Sequence, residues 1–310
     1  MPVNELHSVV APMYNEAAVL EEFYGRITKA LAGLPSYEII AVDDGSTDST
    51  FEILARLADA DPRLKVLRLS RNFGHEIATT AGMDVARGDT VTVIDADLQD
   101  PPELVPVLIE KWRQGADVVF TVRHHRNGET WFKKLSASIY YRLLRSLARV
   151  DIPADAGDFR LMSSRAATAL GSMRERSRYV RGLAGWVGFE RAYVEYDRDP
   201  RFAGETKYPL SRLIPLALQG IVSFSVRPLH LATLAGFAAS GLGFAYGVFV
   251  LIYWYTTRLP VAGWTSLMIV LLFFGGVQLI TLGIMGEYVG RTYEEVRGRP
   301  LYLVREERGL

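Results

Sequence analysis

The chain of 310 residues contains no cysteine. That excludes a disulfide framework, a thiolate zinc site and a cysteine nucleophile. It also lacks an excess of either charge: 35 basic residues balance 35 acidic ones, which argues against a nucleic-acid partner. The N-terminal stretch MPVNELHSVVAPMYNE lacks a basic segment followed by a long apolar run, so no cleavable signal peptide is expected. A more local absence is that of carboxylates. From Leu229 to Gly286 there is no acid, and His230 and Arg258 are the basic groups. Residues 1–227, by contrast, have ordinary globular composition.

Within that first part, one scheme repeats. His7 to Pro12 is an apolar run, followed by the polar Tyr14-Asn15-Glu16 and the helical spacing of Val19, Leu20, Phe23 and Ile27. Glu38 to Val42 is a second run, and DDGSTDST after it supplies Gly45 for a tight turn and N-cap candidates for a helix over Phe51 to Leu57. Lys65 to Leu69 is a third; SRNFGHE follows it, with a helix from Ile77. Strand, polar turn and helix in strict alternation predict an α/β fold with a mainly parallel sheet and helices on both faces. Ligands of such sheets collect beyond the carboxyl ends of the strands, where these polar turns fall.

The fourth unit, VTVIDADLQDPPE from Val91 to Glu103, is the most informative. Val91 to Ile94 reads as a buried strand, and Pro101 and Pro102 stop it and open a helix at Glu103. Alternate side chains of a strand share a face, so Asp95 and Asp97 converge just beyond the sheet edge. Carboxylates so placed repel unless a cation sits between them. The competing reading is a polar turn that caps the following helix.

Taken together, APMYNE (11–16), VDDGSTDST (42–50), SRNFGHE (70–76) and DADLQDPPE (95–103) resemble the family 2 glycosyltransferases of the GT-A fold, which use nucleotide-activated sugars. GDFRLMS (157–163), RFAGETKY (201–208) and LQGIVSFSVRPL (218–229) resemble the polyprenyl-phosphate branch of that family, with its dolichyl-phosphate mannose synthases and bacterial GtrB-type glucosyltransferases. The QxxRW motif of processive polysaccharide synthases and the GxGxxG of nicotinamide-binding domains are both missing.

The resemblance implies a donor site. Pro12, Tyr14, Asn15, Glu16, Asp44, Asn72, Asp95, Ala96 and Asp97 would bind the nucleotide sugar. Asp97 is the first candidate for a direct metal ligand, with Asp95 and Gln99 completing the site. Oxygen ligands and a diphosphate favour Mg²⁺ or Mn²⁺ over zinc. Without the resemblance, Glu16 reads equally as a helix N-terminal acid and Asp44 as a capping residue. The role of His75 is open.

An acceptor site is implied too. After the apolar run Asp117 to Val122, Arg123, Lys134 and Ser138 are candidates for an anionic lipid phosphate, joined by Arg201 and Lys207. The competing reading for such basic groups is attraction to anionic lipid. Asp158 and Arg160 of GDFRLMS are the catalytic candidates. Asp158 is either a base or a positioning group, since a phosphomonoester with a second pKa near ~6 is already ionised at neutral pH. Arg160 either neutralises phosphate or pairs with Asp158.

Leu229 to Thr257 and Leu259 to Gly286 both exceed the ~20 residues that cross a bilayer. Tyr253, Trp254, Tyr255 and Trp264 flank the connector at Arg258 and Pro260 as an interfacial belt, and arginines flank the outer ends of the pair. The expected organisation is a catalytic domain over 1–208, juxtamembrane amphipathic helices over 209–227, two transmembrane helices over 228–286 and a tail over 287–310. Charge bias puts the catalytic domain and both termini in the cytoplasm of a multi-pass membrane protein. Glu287 to Val304 is expected to pack on the catalytic domain or on a neighbouring subunit.

The function expected is inverting transfer of a hexose from a nucleotide sugar to undecaprenyl or dolichyl phosphate. Glucose from UDP-glucose is favoured, with UDP-4-deoxy-4-formamido-arabinose, UDP-N-acetylglucosamine and GDP-mannose as alternatives. A homotetramer is implied by the resemblance alone. A non-catalytic nucleotide-binding membrane partner is the opposing reading, disfavoured by intact Asp95, Asp97, Asp158 and Arg160.

Overall fold

The computed structural model describes residues 5–123, 156–176, 178–197, 226–257 and 263–310. They divide into two units, residues 1–215 with 299–310, and residues 216–298.

The first unit begins β1 (Leu6–Met13), α1 (Leu20–Leu31), β2 (Ser36–Asp43), α2 (Thr50–Ala60), β3 (Leu64–Leu69), α3 (His75–Val85) and β4 (Thr90–Val93). A 3₁₀ turn at Pro102–Leu104 then leads into α4 (Val105–Arg113) and β5 (Val118–Arg123). Next come β6 (Ala156–Ser163), α5 (Ser164–Ser172), α6 (Val180–Trp186) and β7 (Arg191–Tyr196), with β8 (Val304–Arg308) near the C-terminus. The eight strands form one sheet in the order β7-β5-β6-β4-β1-β2-β3-β8.

The centre of the sheet, β4-β1-β2-β3, is parallel throughout, as the repeated strand–turn–helix units require. Its strands carry continuous buried apolar stretches, Val9 to Ala11 in β1 and Ile39 to Val42 in β2, because both faces are covered. Val9, Ala11, Ile39, Ala41 and Val66 pack with Phe23 and Ile27 of α1, Leu54 of α2 and Leu108 of α4. On the opposite face, α3 lies over Val10 and Val42 at Gly82.

Beyond this centre the sheet is mixed. β6 runs antiparallel between β4 and β5, pairing Arg160 with Val93 on one side and with Phe120 on the other. This brings GDFRLMS alongside β4, the strand that leads into the turn of Asp95. β8 pairs antiparallel with β3, Leu303 accepts the backbone N–H of Ser70 at 2.8 Å, and the Tyr302 hydroxyl donates to Asp84 at 2.8 Å. The C-terminal segment thus packs on the sheet of the first unit.

The second unit contains α7 (Arg227–Thr257) and α8 (Trp264–Val296). Within the segments Leu229–Thr257 and Leu267–Val296, 18-residue stretches reach mean hydropathies of 1.8 and 2.4, and both helices are long and apolar enough to cross a membrane. The helices pack together where Gly243 leaves room for the ring of Phe274, while Phe237, Phe244 and Leu272 are exposed. An apolar surface of this extent is stable against lipid rather than water. α8 continues helically past Gly286 through Glu287 to Val296.

Candidate active site

The carboxyl ends of the parallel strands carry the site. After β1, Asn15 adopts a left-handed backbone with φ 57°, a conformation that a short polar side chain tolerates by bonding locally. Its side-chain oxygen accepts the N–H groups of Thr47 at 2.8 Å and Asp48 at 3.4 Å. Its own N–H donates to the Ser46 hydroxyl at 3.0 Å, and the Glu16 N–H donates to that of Thr50 at 2.9 Å. The loops after β1 and β2 are therefore one hydrogen-bonded piece. Pro12 is buried at the end of β1, whereas Tyr14 beside it is exposed.

Asp44 ties in the third loop, its two oxygens accepting N–H donation from Phe73 at 2.7 Å and Gly74 at 2.9 Å. Burial raises its pKa, against the lowering effect of those two bonds. Asp44 thereby shapes the loop that carries Asn72, itself exposed, and sets the start of α3 at His75.

The turn after β4 holds Asp95, Ala96, Asp97 and Gln99. Leu98 has φ 59°, unusual for a branched apolar residue, and its buried side chain anchors the turn in the core. Asp97 accepts the Gln99 N–H at 3.1 Å and is half-buried, while Ala96 is buried. Asp100, the last acid of the run, is turned inward and accepts the Tyr196 hydroxyl of β7. Asp100 is thus a strut within the fold.

Asp95 faces α3 and β6. Its Oδ1 lies 3.5 Å from His75 Nε2 and is buried without a hydrogen-bond partner among the described residues. Burial pushes the carboxyl up to about 6; His75 opposes this, and the nearby Asp158, Asp100 and Asp97 add to it. One ligand atom each from His75, Asp95 and Asp158 falls within 4.8 Å of the others. An orphaned buried carboxylate oxygen within such a set fits a divalent cation, whose charge would relieve the repulsion. Asp97, two residues on, belongs to the same turn but is not one of these three.

Asp158 sits on β6 between two guanidinium groups. Arg181 Nη2 donates to Oδ2 at 2.9 Å, and Arg160 Nη1 lies 3.8 Å from Oδ1. Burial alone would raise the carboxyl, but the charges of Arg181 and Arg160 outweigh it and hold Asp158 at about 2. The Arg160 side chain is 1% exposed against 24% for Asp158, so it lies beneath the carboxylate. Pairing with Asp158 is the role this geometry favours for Arg160. Glu76, beside His75, accepts the backbone N–H of Val180 at 3.1 Å, and burial raises its pKa.

Of the acceptor candidates, Arg123 ends β5. Lys134, Ser138, Arg201 and Lys207 lie outside the described residues, as do the juxtamembrane segment before Val226 and the connector around Arg258. Sequence reasoning missed Arg181, which belongs to none of the motifs it used. It had Glu76 inside SRNFGHE without a role.

Comparison with known proteins identifies the family. The family model "Glycosyl transferase family 2" matches residues 8–171, which span β1 to the end of α5. The chain is 48% identical over 305 residues to the "Uncharacterized glycosyltransferase YkcC" of Bacillus subtilis, covering 98% of this chain and 94% of that one. It is 41% identical over 301 residues to the "SfII prophage-derived bactoprenol glucosyl transferase" of Shigella flexneri, covering 96% and 97%. Among solved structures, the glucosyl-3-phosphoglycerate synthase of Mycobacterium tuberculosis, crystallised with Mn²⁺, UDP and glucosyl-3-phosphoglycerate, overlays with a TM-score of 0.49 at 23% identity, covering 70% of this chain and 78% of that one. With the carboxylate turn after β4 and nearly full-length relatives at this identity, the chain belongs to glycosyl transferase family 2 and is a glycosyltransferase.

Proposed function

We propose that this enzyme transfers a hexose from a nucleotide sugar to the phosphate of a polyprenyl phosphate at a membrane surface, with UDP-glucose as the donor. The observation that carries the reading is the convergence of His75, Asp95 and Asp158 beyond the parallel strands, in a chain that also has two helices of membrane-spanning length. The name of the Shigella flexneri relative, a bactoprenol glucosyl transferase, supports both the lipid acceptor and the glucosyl group.

In this reading the loops of Tyr14, Asn15, Glu16, Asp44 and Asn72 hold the nucleoside, and Asp95, Asp97 and Gln99 line the diphosphate. Mg²⁺ or Mn²⁺ bound there would supply positive charge to the leaving diphosphate. A phosphate oxygen of the lipid attacks the anomeric carbon as the bond to the diphosphate breaks, and the nucleoside diphosphate leaves with the electron pair. A single displacement inverts the anomeric configuration. The acceptor phosphate is already ionised near neutral pH and needs no base, and Asp158, ion-paired with Arg181, acts by positioning the reactants. Arg123, Lys134, Ser138, Arg201 and Lys207 receive the acceptor phosphate, and the flanking arginines support a cytoplasmic catalytic unit.

The test is to incubate purified protein with polyprenyl phosphate, Mg²⁺ or Mn²⁺ and a panel of nucleotide sugars, and to identify the lipid product by mass and NMR. A β-linked glucosyl product from UDP-glucose is expected. An α-linked product would refute single displacement, and exclusive use of another donor would refute the sugar assignment.

A further inference from the structure

Two guanidinium groups approach Asp158, and they do different things. Arg160 is 1% exposed and 3.8 Å away, beyond hydrogen-bonding distance, and its Nε and Nη1 have no hydrogen-bond partner among the described residues. It contributes charge from below without fixing a direction. Arg181 is 19% exposed, at the rim, and its 2.9 Å bond to Oδ2 is directional.

Arg181 is itself held in place. It is the second residue of α6, and the residue before it, Val180, donates its backbone N–H to Glu76 at 3.1 Å. Glu76 lies in the first turn of α3 beside His75, whose Nε2 faces Asp95. The start of α3 therefore reaches the Asp95 carboxylate through His75 and the Arg181 helix through Glu76. A change in the Arg181 contact would be felt where the donor and Asp158 meet.

We propose that Arg181 is a positioning residue for sugar transfer: its hydrogen bond to Oδ2 aims the Asp158 carboxylate, and the Glu76–Val180 contact fixes Arg181 in register to do so. The inference rests on the reading of Asp158 given above as a group acting on the reactants. It adds a residue, Arg181, that lies outside the motifs of the resemblance, and it gives Glu76 of SRNFGHE a role as its anchor.

The experiment compares full-length Arg181→Gln and Arg181→Lys with wild type, using UDP-glucose and polyprenyl phosphate. The same Gln substitution is also made in an Asp158→Asn background. Expected for Arg181→Gln is a fall in kcat of about tenfold or more with the donor KM within about twofold, since the donor-binding loops are untouched. Arg181→Lys, which keeps the charge and a donor, recovers most of the loss. In the Asp158→Asn background the Gln substitution adds nothing further, because the group it aims is already changed. A kcat within about twofold of wild type, or a loss that multiplies onto that of Asp158→Asn, overturns the proposal. A crystal structure of Arg181→Gln supplies a readout independent of turnover. Asp158 turned away from its present orientation is expected, and an unmoved carboxylate refutes the role. Should wild type transfer no sugar to the lipid, the functional reading fails, and the crystallographic comparison still decides Arg181.

Discussion

The side-chain oxygen of Asn15 accepts the backbone N–H of Thr47 at 2.8 Å, so the loop that ends β1 is tied to the loop that ends β2. In the proposed reading these loops on neighbouring parallel strands are the donor site, preorganised as one surface, which reduces the ordering that a bound nucleotide must impose.

Asn15→Gly keeps the left-handed backbone and removes only the side chain. Loss of its hydrogen bonds frees the Thr47–Asp48 segment, and UDP affinity is expected to fall by about tenfold in a calorimetric titration. Unchanged affinity would show that the tie between the loops is not used in binding.

Gly45 makes the same point with backbone. At φ +70°, an added Cβ would lie 2.5 Å from the carbonyl carbon of Arg71, in the loop after β3. Gly45→Ala is therefore expected to lower stability by at least about 2 kcal/mol, read as a fall in the melting temperature. Gly33→Ala, where nothing lies within 4 Å of the new methyl, is the control and should stay within about 0.5 kcal/mol of wild type.

Stability should depend on pH through Asp61. The guanidinium of Arg63, bonded to it at 2.9 Å, holds this carboxyl at about 2, below the ~3.9 of an unfolded aspartate. A depressed carboxyl stabilises the fold fully above pH about 4, and that contribution disappears as the pH falls towards 2. The melting-temperature gap between wild type and Asp61→Asn should be constant above about pH 4 and shrink below it. A gap that widens on acidification would contradict the assignment.

Much of this was legible in the chain, for a definite reason. Strands covered on both faces are continuous apolar runs, so Val9 to Ala11, Ile39 to Val42 and Val91 to Val93 declare themselves, and the polar turns between runs mark the ligand edge. The insertion of β6 between β4 and β5 is a long-range pairing that no local pattern encodes. It is this insertion that brings Asp158 to Asp95. β8 was hidden because VREER has one apolar residue in five, as an edge strand can. Arg181 was hidden because its meaning lies in a contact 23 residues away in sequence with Asp158, made only once α6 folds against β6.

The proposed reaction needs a cation and a diphosphate gripped at the turn that follows β4. Its most direct test is glycolipid synthesis from UDP-glucose and polyprenyl phosphate by wild type and by Asp97→Ala, each with Mn²⁺ or Mg²⁺ and after chelation. Wild-type synthesis that stops on chelation, and a loss of about a hundredfold or more in Asp97→Ala, is the predicted result. Synthesis that is undiminished in Asp97→Ala would contradict it.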